Sequence, residues 1–136
     1  MDIEVTSQAL AAMRAAAAAA HPLEACGLLL GEGGRITAAH ETANVHPAPE
    51  THFEVDPQAL VDAHRAARRE GALQVIGYFH SHPSGPASPS ATDRASAAGD
   101  GRVWAIIAGN DVQFWKDGDS AGNGGFAALS FAIIDG

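Results

Sequence analysis

Cysteine is nearly absent from this chain: Cys26 stands alone among 136 residues. One thiol closes no internal disulfide and cannot build a cysteine-rich structural zinc site, and it suits a reducing compartment. Basic residues are scarce too, 8 against 16 acidic ones, for a formal net charge of −8. That balance opposes a phosphate backbone and offers no basic stripe to offset it, so nucleic acid is not an expected partner. Long apolar runs are missing. The alanine stretch from Ala15 to Ala20 is far too short to cross a bilayer, and Met1-Asp2-Ile3-Glu4 lacks the positive charge of a leader peptide. The expectation is an unprocessed cytoplasmic protein with no membrane partner. The zincin signature His-Glu-x-x-His is also absent, so any catalytic base for a metal site has to come from elsewhere in the chain.

What is present reads as one domain spanning 1–136, with 46% hydrophobic and 18% charged residues and a length sufficient for a real core. Ile3 and Val5 suggest a first strand, and Thr6 or Ser7 can cap an alanine-rich helix that runs to about Ala20 and stops at His21-Pro22. Leu23 to Gly31 is a buried strand carrying one carboxylate, Glu24. Glu32-Gly33-Gly34 turns it into a partner strand, Arg35 to Ala43. After a loop over 44–51, Phe53-Glu54-Val55 reads as a short strand. Asp56-Pro57 then opens a helix that ends at Gly71. Leu73 to Phe79 is a further strand and Thr92 to Ala98 a short helix. Val103 to Ala108 and Val112 to Trp115 form a hairpin, and Phe126 to Ile134 a last strand. The sum is an α/β or α+β fold: a mixed sheet, largely antiparallel, with about three helices.

The chemistry concentrates in Phe79 to Asp93. His80 and His82 are separated by one residue at the end of an apolar strand, so period-two alternation points both imidazoles to one side. A loop rich in proline and serine then brings Asp93 round. Two nitrogens and a carboxylate oxygen suit a zinc ion and leave one position for water. His21, His40, His46, His52 and His64 are scattered and read as structural or surface residues. Ser90 stands three residues before Asp93, the spacing of a helix capping box, and it can also point into the site. For the base, Glu24 leads, because desolvation beside an apolar strand raises a carboxyl pKa toward the useful range. Glu50 and Glu54 are alternatives in more polar surroundings.

The pattern His80-x-His82-Pro83, six residues, then Ser90-x-x-Asp93, with Glu24 upstream in Glu-Ala-Cys-Gly-Leu-Leu-Leu-Gly, resembles the JAMM motif of the MPN/JAB (MPN+) metallopeptidases. The order of strands and helices is similar along nearly the whole chain. The resemblance implies the MPN/JAB fold, cytidine-deaminase-like, with a curved sheet. It implies one Zn2+ per chain on His80, His82 and Asp93, water activation by Glu24, and stabilisation of the tetrahedral intermediate by Ser90. The implied reaction is hydrolysis of a peptide or isopeptide bond. No histidine or cysteine follows His82, so the second, structural zinc site of some deubiquitinating relatives has no ligands here. The chain looks more like the small bacterial members, which act on ubiquitin-like or sulfur-carrier proteins with small-residue C-terminal tails. A homodimer is compatible with this reading.

Two rival functions accompany it. One is a non-catalytic MPN-type binding module, against which the intact ligand set argues. The other is a DNA-repair-associated JAB protein, against which the charge argues. Asp117-Gly118-Asp119 followed by Asn123 hints at calcium, but Ala121 replaces an oxygen ligand and Ala128 stands where a glutamate would close the loop. The segment reads as a solvated turn. Cys26 reads as an inert buried thiol.

Overall fold

The fold is a computed structural model, described here over residues 2–118 and 125–136. The first strand, β1 (Ile3–Thr6), runs directly into α1 (Ser7–Ala20). Thr6 is the cap: its Oγ1 accepts a hydrogen bond from Ala9 N at 3.1 Å. Ala9, Leu10, Met13 and Ala16 recur at helical spacing and form the buried face. They pack on Val5, Leu29, Ile36, Phe79 and Ile107 of the sheet, and the small alanines let the helix come close. There follow β2 (Cys26–Glu32), β3 (Arg35–Thr42), α2 (Pro57–Ala67), β4 (Gln74–Ser81), α3 (Ala91–Ser96), β5 (Val103–Ala108), β6 (Asp111–Asp117), β7 (Phe126–Leu129) and β8 (Phe131–Ile134).

The eight strands of the described residues join one sheet in the order β7-β6-β5-β4-β2-β3-β1-β8. Four of its contacts are antiparallel and three parallel, so the sheet is mixed as expected. β4 lies near the middle, antiparallel to β2 and parallel to β5. Gly27 of β2 is required there, because a Cβ would collide with His40 O and the Phe79 ring.

The expected last strand, Phe126 to Ile134, is two strands broken at Ser130. Its halves pair with opposite edges of the sheet, β7 with β6 and β8 with β1. The sheet therefore curls until its edges are consecutive in the chain. Ser130 is tied at the junction, its N donating to Asp2 Oδ2 at 2.8 Å and its O accepting from Asp2 N at 3.1 Å.

Other expectations shift at their ends. β2 begins at Cys26, not Leu23, because Leu23 N bonds to Ala20 O and Glu24 N to Pro49 O, outside the sheet. Phe53-Glu54-Val55 is not a strand but a single bridge, Asn44 to Val55. α2 closes at Ala67 with Arg68 as its C-cap, and Gly71, with a φ of 75°, turns the chain after it. α3 covers Ala91–Ser96 and not the expected 92–98. Asp117 is not part of a solvated turn: it is buried, and its Oδ2 accepts from Gly99 N at 3.0 Å. Residues 119–124 of that segment lie outside the described residues. No helix among the described residues is long and apolar enough to cross a membrane.

Candidate metal centre and active site

β4 ends at the site. His80 is its penultimate residue and is fully buried, while His82 lies just past the end, with its backbone N bonded to Ile107 O at 2.8 Å. Asp93 comes from the first turn of α3. Ser90 caps that helix: Asp93 N donates to Ser90 Oγ at 3.0 Å, and Ser90 N donates back to Asp93 Oδ2 at 3.0 Å. This is the capping box that the spacing suggested, and it turns the carboxylate toward the two imidazoles.

The ring nitrogens converge. His80 Nε2 lies 3.1 Å from His82 Nε2, and Asp93 Oδ2 lies 3.2 Å from the first and 3.1 Å from the second. A tetrahedral ion with metal–ligand bonds of ~2 Å needs ligand edges of roughly 3.3 Å, so the donor set fits zinc in both atom type and spacing. Among the described residues this is the one group of three able to hold a metal ion. Protonation at Asp93 and His80 agrees with that use; at His82 burial pushes the pKa down but the Asp93 carboxylate and the Pro86 carbonyl raise it, so a metal has to displace a proton there. Burial alone would push the Asp93 carboxyl up, but the imidazoles hold it well below the usual range, so it stays ionised. Burial drives the His80 pKa down and keeps that ring neutral.

The His82 ring is oriented by its Nδ1, which is 2.8 Å from Pro86 O; donation there leaves the Nε2 lone pair for the site. His80 Nδ1 is buried without a hydrogen-bond partner. Packing orients this ring instead. Phe53 stacks on it at 4.2 Å and 14°, and Trp104 meets it edge-on at 5.6 Å.

Glu24 arrives through strand register. Cys26 pairs with His80, and the pairing continues past the ends of both strands: Ser81 N donates to Ala25 O at 3.0 Å and Ala25 N to Ser81 Oγ at 2.8 Å. One step further places Glu24 opposite His82. Glu24 is 7% exposed, and its Oε1 is buried with no hydrogen-bond partner. Burial raises its pKa to about 7, opposed by the His82 charge and assisted by that of Asp93. A carboxyl so poised can take and release a proton near neutral pH.

Glu24, Ser90 and His82 share a cleft of about 320 Å³ that Pro83 to Pro86, Glu50 and Thr51 also line. Glu50 is exposed. Glu54 is exposed in the same loop. Of the remaining histidines, His46 and His52 stack on each other at 4.6 Å. His21 lines a groove with Arg14 and Leu23 that meets the cleft at His82 and Pro83. His40 is in β3 and His64 in α2, away from the cluster. Cys26 is buried, and burial pushes its thiol up to about 11, which leaves it unreactive.

Three residues that touch the site carried no chemical signal in the sequence. Phe53 read as part of a strand, Trp104 as generic core, and Asn44 as the start of a loop. Phe53 and Asn44 are revealed by the convergence of the segment 44–55 on the site, and Trp104 by the pairing of β5 with β4.

Residues 6–118 match the family described as prokaryotic homologues of the JAB domain. A desampylase of Haloferax volcanii is 39% identical over 95 residues, which cover 68% of this chain and 68% of that protein. A probable TtuB-protein conjugate cleaving protease of Thermus thermophilus is 41% identical over 90 residues, 66% of this chain but only 58% of the longer relative. A JAB1/MPN domain protein from Archaeoglobus fulgidus has a similar fold, with a TM-score of 0.65 at 19% identity, covering 98% of this chain and 100% of that one.

Proposed function

This chain belongs to the family of prokaryotic JAB-domain homologues, and from that premise we propose that it is a zinc-dependent isopeptidase that releases a ubiquitin-like protein from its conjugates. The observation that carries the reading is the pairing of two unlike groups side by side: a buried Glu24 whose pKa burial raises to about 7, and a converged set of two imidazoles and a carboxylate. A structural metal site has no use for the first. The names of the desampylase and of the TtuB-conjugate protease support the substrate class.

His80, His82 and Asp93 would hold one zinc ion. When bound, zinc supplies a Lewis acid for the scissile carbonyl and makes a water acidic enough to ionise near neutral pH. Glu24 accepts the proton of the attacking water on its carboxylate and then delivers it to the departing amine, one group serving as base and acid in turn. Ser90 Oγ accepts the α3 capping bond, and its own hydrogen is free to be donated to the carbonyl oxygen as negative charge develops there. Glu50, Thr51, Ser84 and Pro86 line the same cleft of about 320 Å³. A cleft of that size suits a tail of small residues lying extended, with little room for side chains beside the scissile bond. The lone buried thiol fits a reducing cytoplasm.

The test is a ubiquitin-like carrier ending in Gly-Gly, fused through that tail to a reporter and read by intact mass. Cleavage after the terminal glycine, abolished by a chelator and restored by zinc, is the expected result. Purified protein that binds no zinc after reconstitution would overturn the enzymatic reading and favour a non-catalytic binding module. DNA affinity that weakens steeply with salt would favour a repair-associated role, which the charge of −8 opposes.

A further inference from the structure

Asn44 lies two residues beyond the end of β3, outside the metal cluster and the cleft, and its side-chain amide is fully committed. Nδ2 donates to Glu24 O at 3.0 Å and to His52 O at 3.0 Å. Oδ1 accepts from His46 N at 3.1 Å and from Glu54 N at 3.0 Å. A primary amide has two hydrogens to give and two lone pairs to share, so nothing remains for solvent. The amide's orientation is fixed by its partners. Turned over, its oxygen would face two carbonyls and its nitrogen two N–H groups.

The four partners are not a random set. His52 and Glu54 are the residues immediately before and after Phe53, whose ring covers His80. The fourth bond holds the carbonyl of Glu24 itself, whose own N is tied to Pro49 O in the same loop at 2.8 Å. Glu24 precedes β2 and has no ladder bond to hold it. The segment 44–55 contains no regular element, so its backbone groups depend on such side-chain bonds.

We propose that Asn44 is a positioning residue that fixes two parts of the site together: the backbone of Glu24, and the Phe53 ring over His80. The inference rests on the isopeptidase reading for its catalytic consequence, though not for its structural one. A carboxylate that must reach an attacking water and a leaving amine works only within a few tenths of an ångström, and losing a support of this kind costs about 10- to 100-fold in rate.

Two substitutions separate positioning from simple loop stapling. Asn44→Ala removes all four bonds. Asn44→Asp keeps acceptors for His46 N and Glu54 N but sets an oxygen against the Glu24 and His52 carbonyls. With the Gly-Gly fusion as substrate, both variants should bind one zinc per chain and lose about 10- to 100-fold in kcat, with KM changed by less than about threefold. Asn44→Asp retaining the wild-type kcat, or either variant changing KM alone, would overturn the inference.

Amide hydrogen exchange supplies a readout independent of activity. In the wild-type chain the amides of His46 and Glu54 should be protected. In Asn44→Ala they should exchange at least about tenfold faster while β2 and β4 stay protected. Free exchange at both amides in the wild type overturns the proposal even if no variant folds. Wild-type protein that cleaves nothing removes the isopeptidase reading, and the exchange result then decides the role of Asn44 on its own.

Discussion

The two halves of the site are built in different ways. The metal half, His80, His82 and Asp93, spans fourteen residues of chain and sits on the end of a central strand and the first turn of a capped helix. Apart from the Phe53 ring, which packs on His80 from the irregular segment 44–55, each of its orienting contacts belongs to regular structure or to a short loop adjoining it. The proton-handling half, Glu24 with Asn44, is gathered from two separate places outside any helix or strand. It is held by one side-chain amide and by a register that runs past the strand ends. The first half should therefore tolerate damage elsewhere in the molecule and fail mainly when a ligand is removed. The second should lose function while the metal stays bound.

Removing a ligand is the largest expected effect. His80→Ala deletes a donor and leaves a cavity under Phe53. Zinc should fall well below one per chain, and cleavage by about a thousandfold or more. A variant that keeps both would erase the distinction between the halves.

Glu24→Gln should come next, retaining zinc while cleavage drops by about 10²- to 10⁴-fold. The same variant carries a stability signature. Glu24 titrates near 4.5 when unfolded and at about 7 in the metal-free fold, so the folded chain holds a proton that the unfolded chain releases. Its contribution is fully present below pH 4.5 and is lost as pH rises through 7. At 1.36 kcal/mol per pH unit, the stability difference between metal-free wild type and Glu24→Gln should move against the wild type by roughly 3 kcal/mol over that window. Denaturant titrations of both proteins at pH 4 and pH 8 measure it. A difference independent of pH would mean that Glu24 is not desolvated.

Ser90→Ala is the smallest change and straddles both halves. Loss of the cap should cost about 1 kcal/mol, and loss of the hydroxyl from the cleft about 10- to 100-fold in kcat, below the 10²- to 10³-fold of a dedicated oxyanion donor because zinc shares that duty. A stability loss with unchanged kcat would reduce Ser90 to a helix cap.

The same division explains what could be read before the structure. His80, His82, Ser90 and Asp93 obey local rules, the period of two in a strand and the spacing of a capping box, and these rules need no knowledge of the tertiary fold. By local rules Glu24 is only a carboxylate out of place in an apolar stretch, and its role as the base comes from the resemblance. That it lies opposite His82 depends on how β2 pairs with β4, a long-range fact. Asn44 and Phe53 were not legible, because an irregular loop has no periodicity and its contacts are set by the surfaces it crosses. The break at Ser130 was hidden for a related reason. Nothing in Phe126 to Ile134 shows that a sheet curls far enough for one apolar run to close both of its edges.

The central claim is that metal binding and proton transfer reside in separable groups. Zinc stoichiometry and fusion cleavage measured together on a single preparation of Glu24→Gln test it most directly. The account expects one zinc per chain with almost no product. Zinc lost in step with activity, or product formed at the wild-type rate, would contradict it.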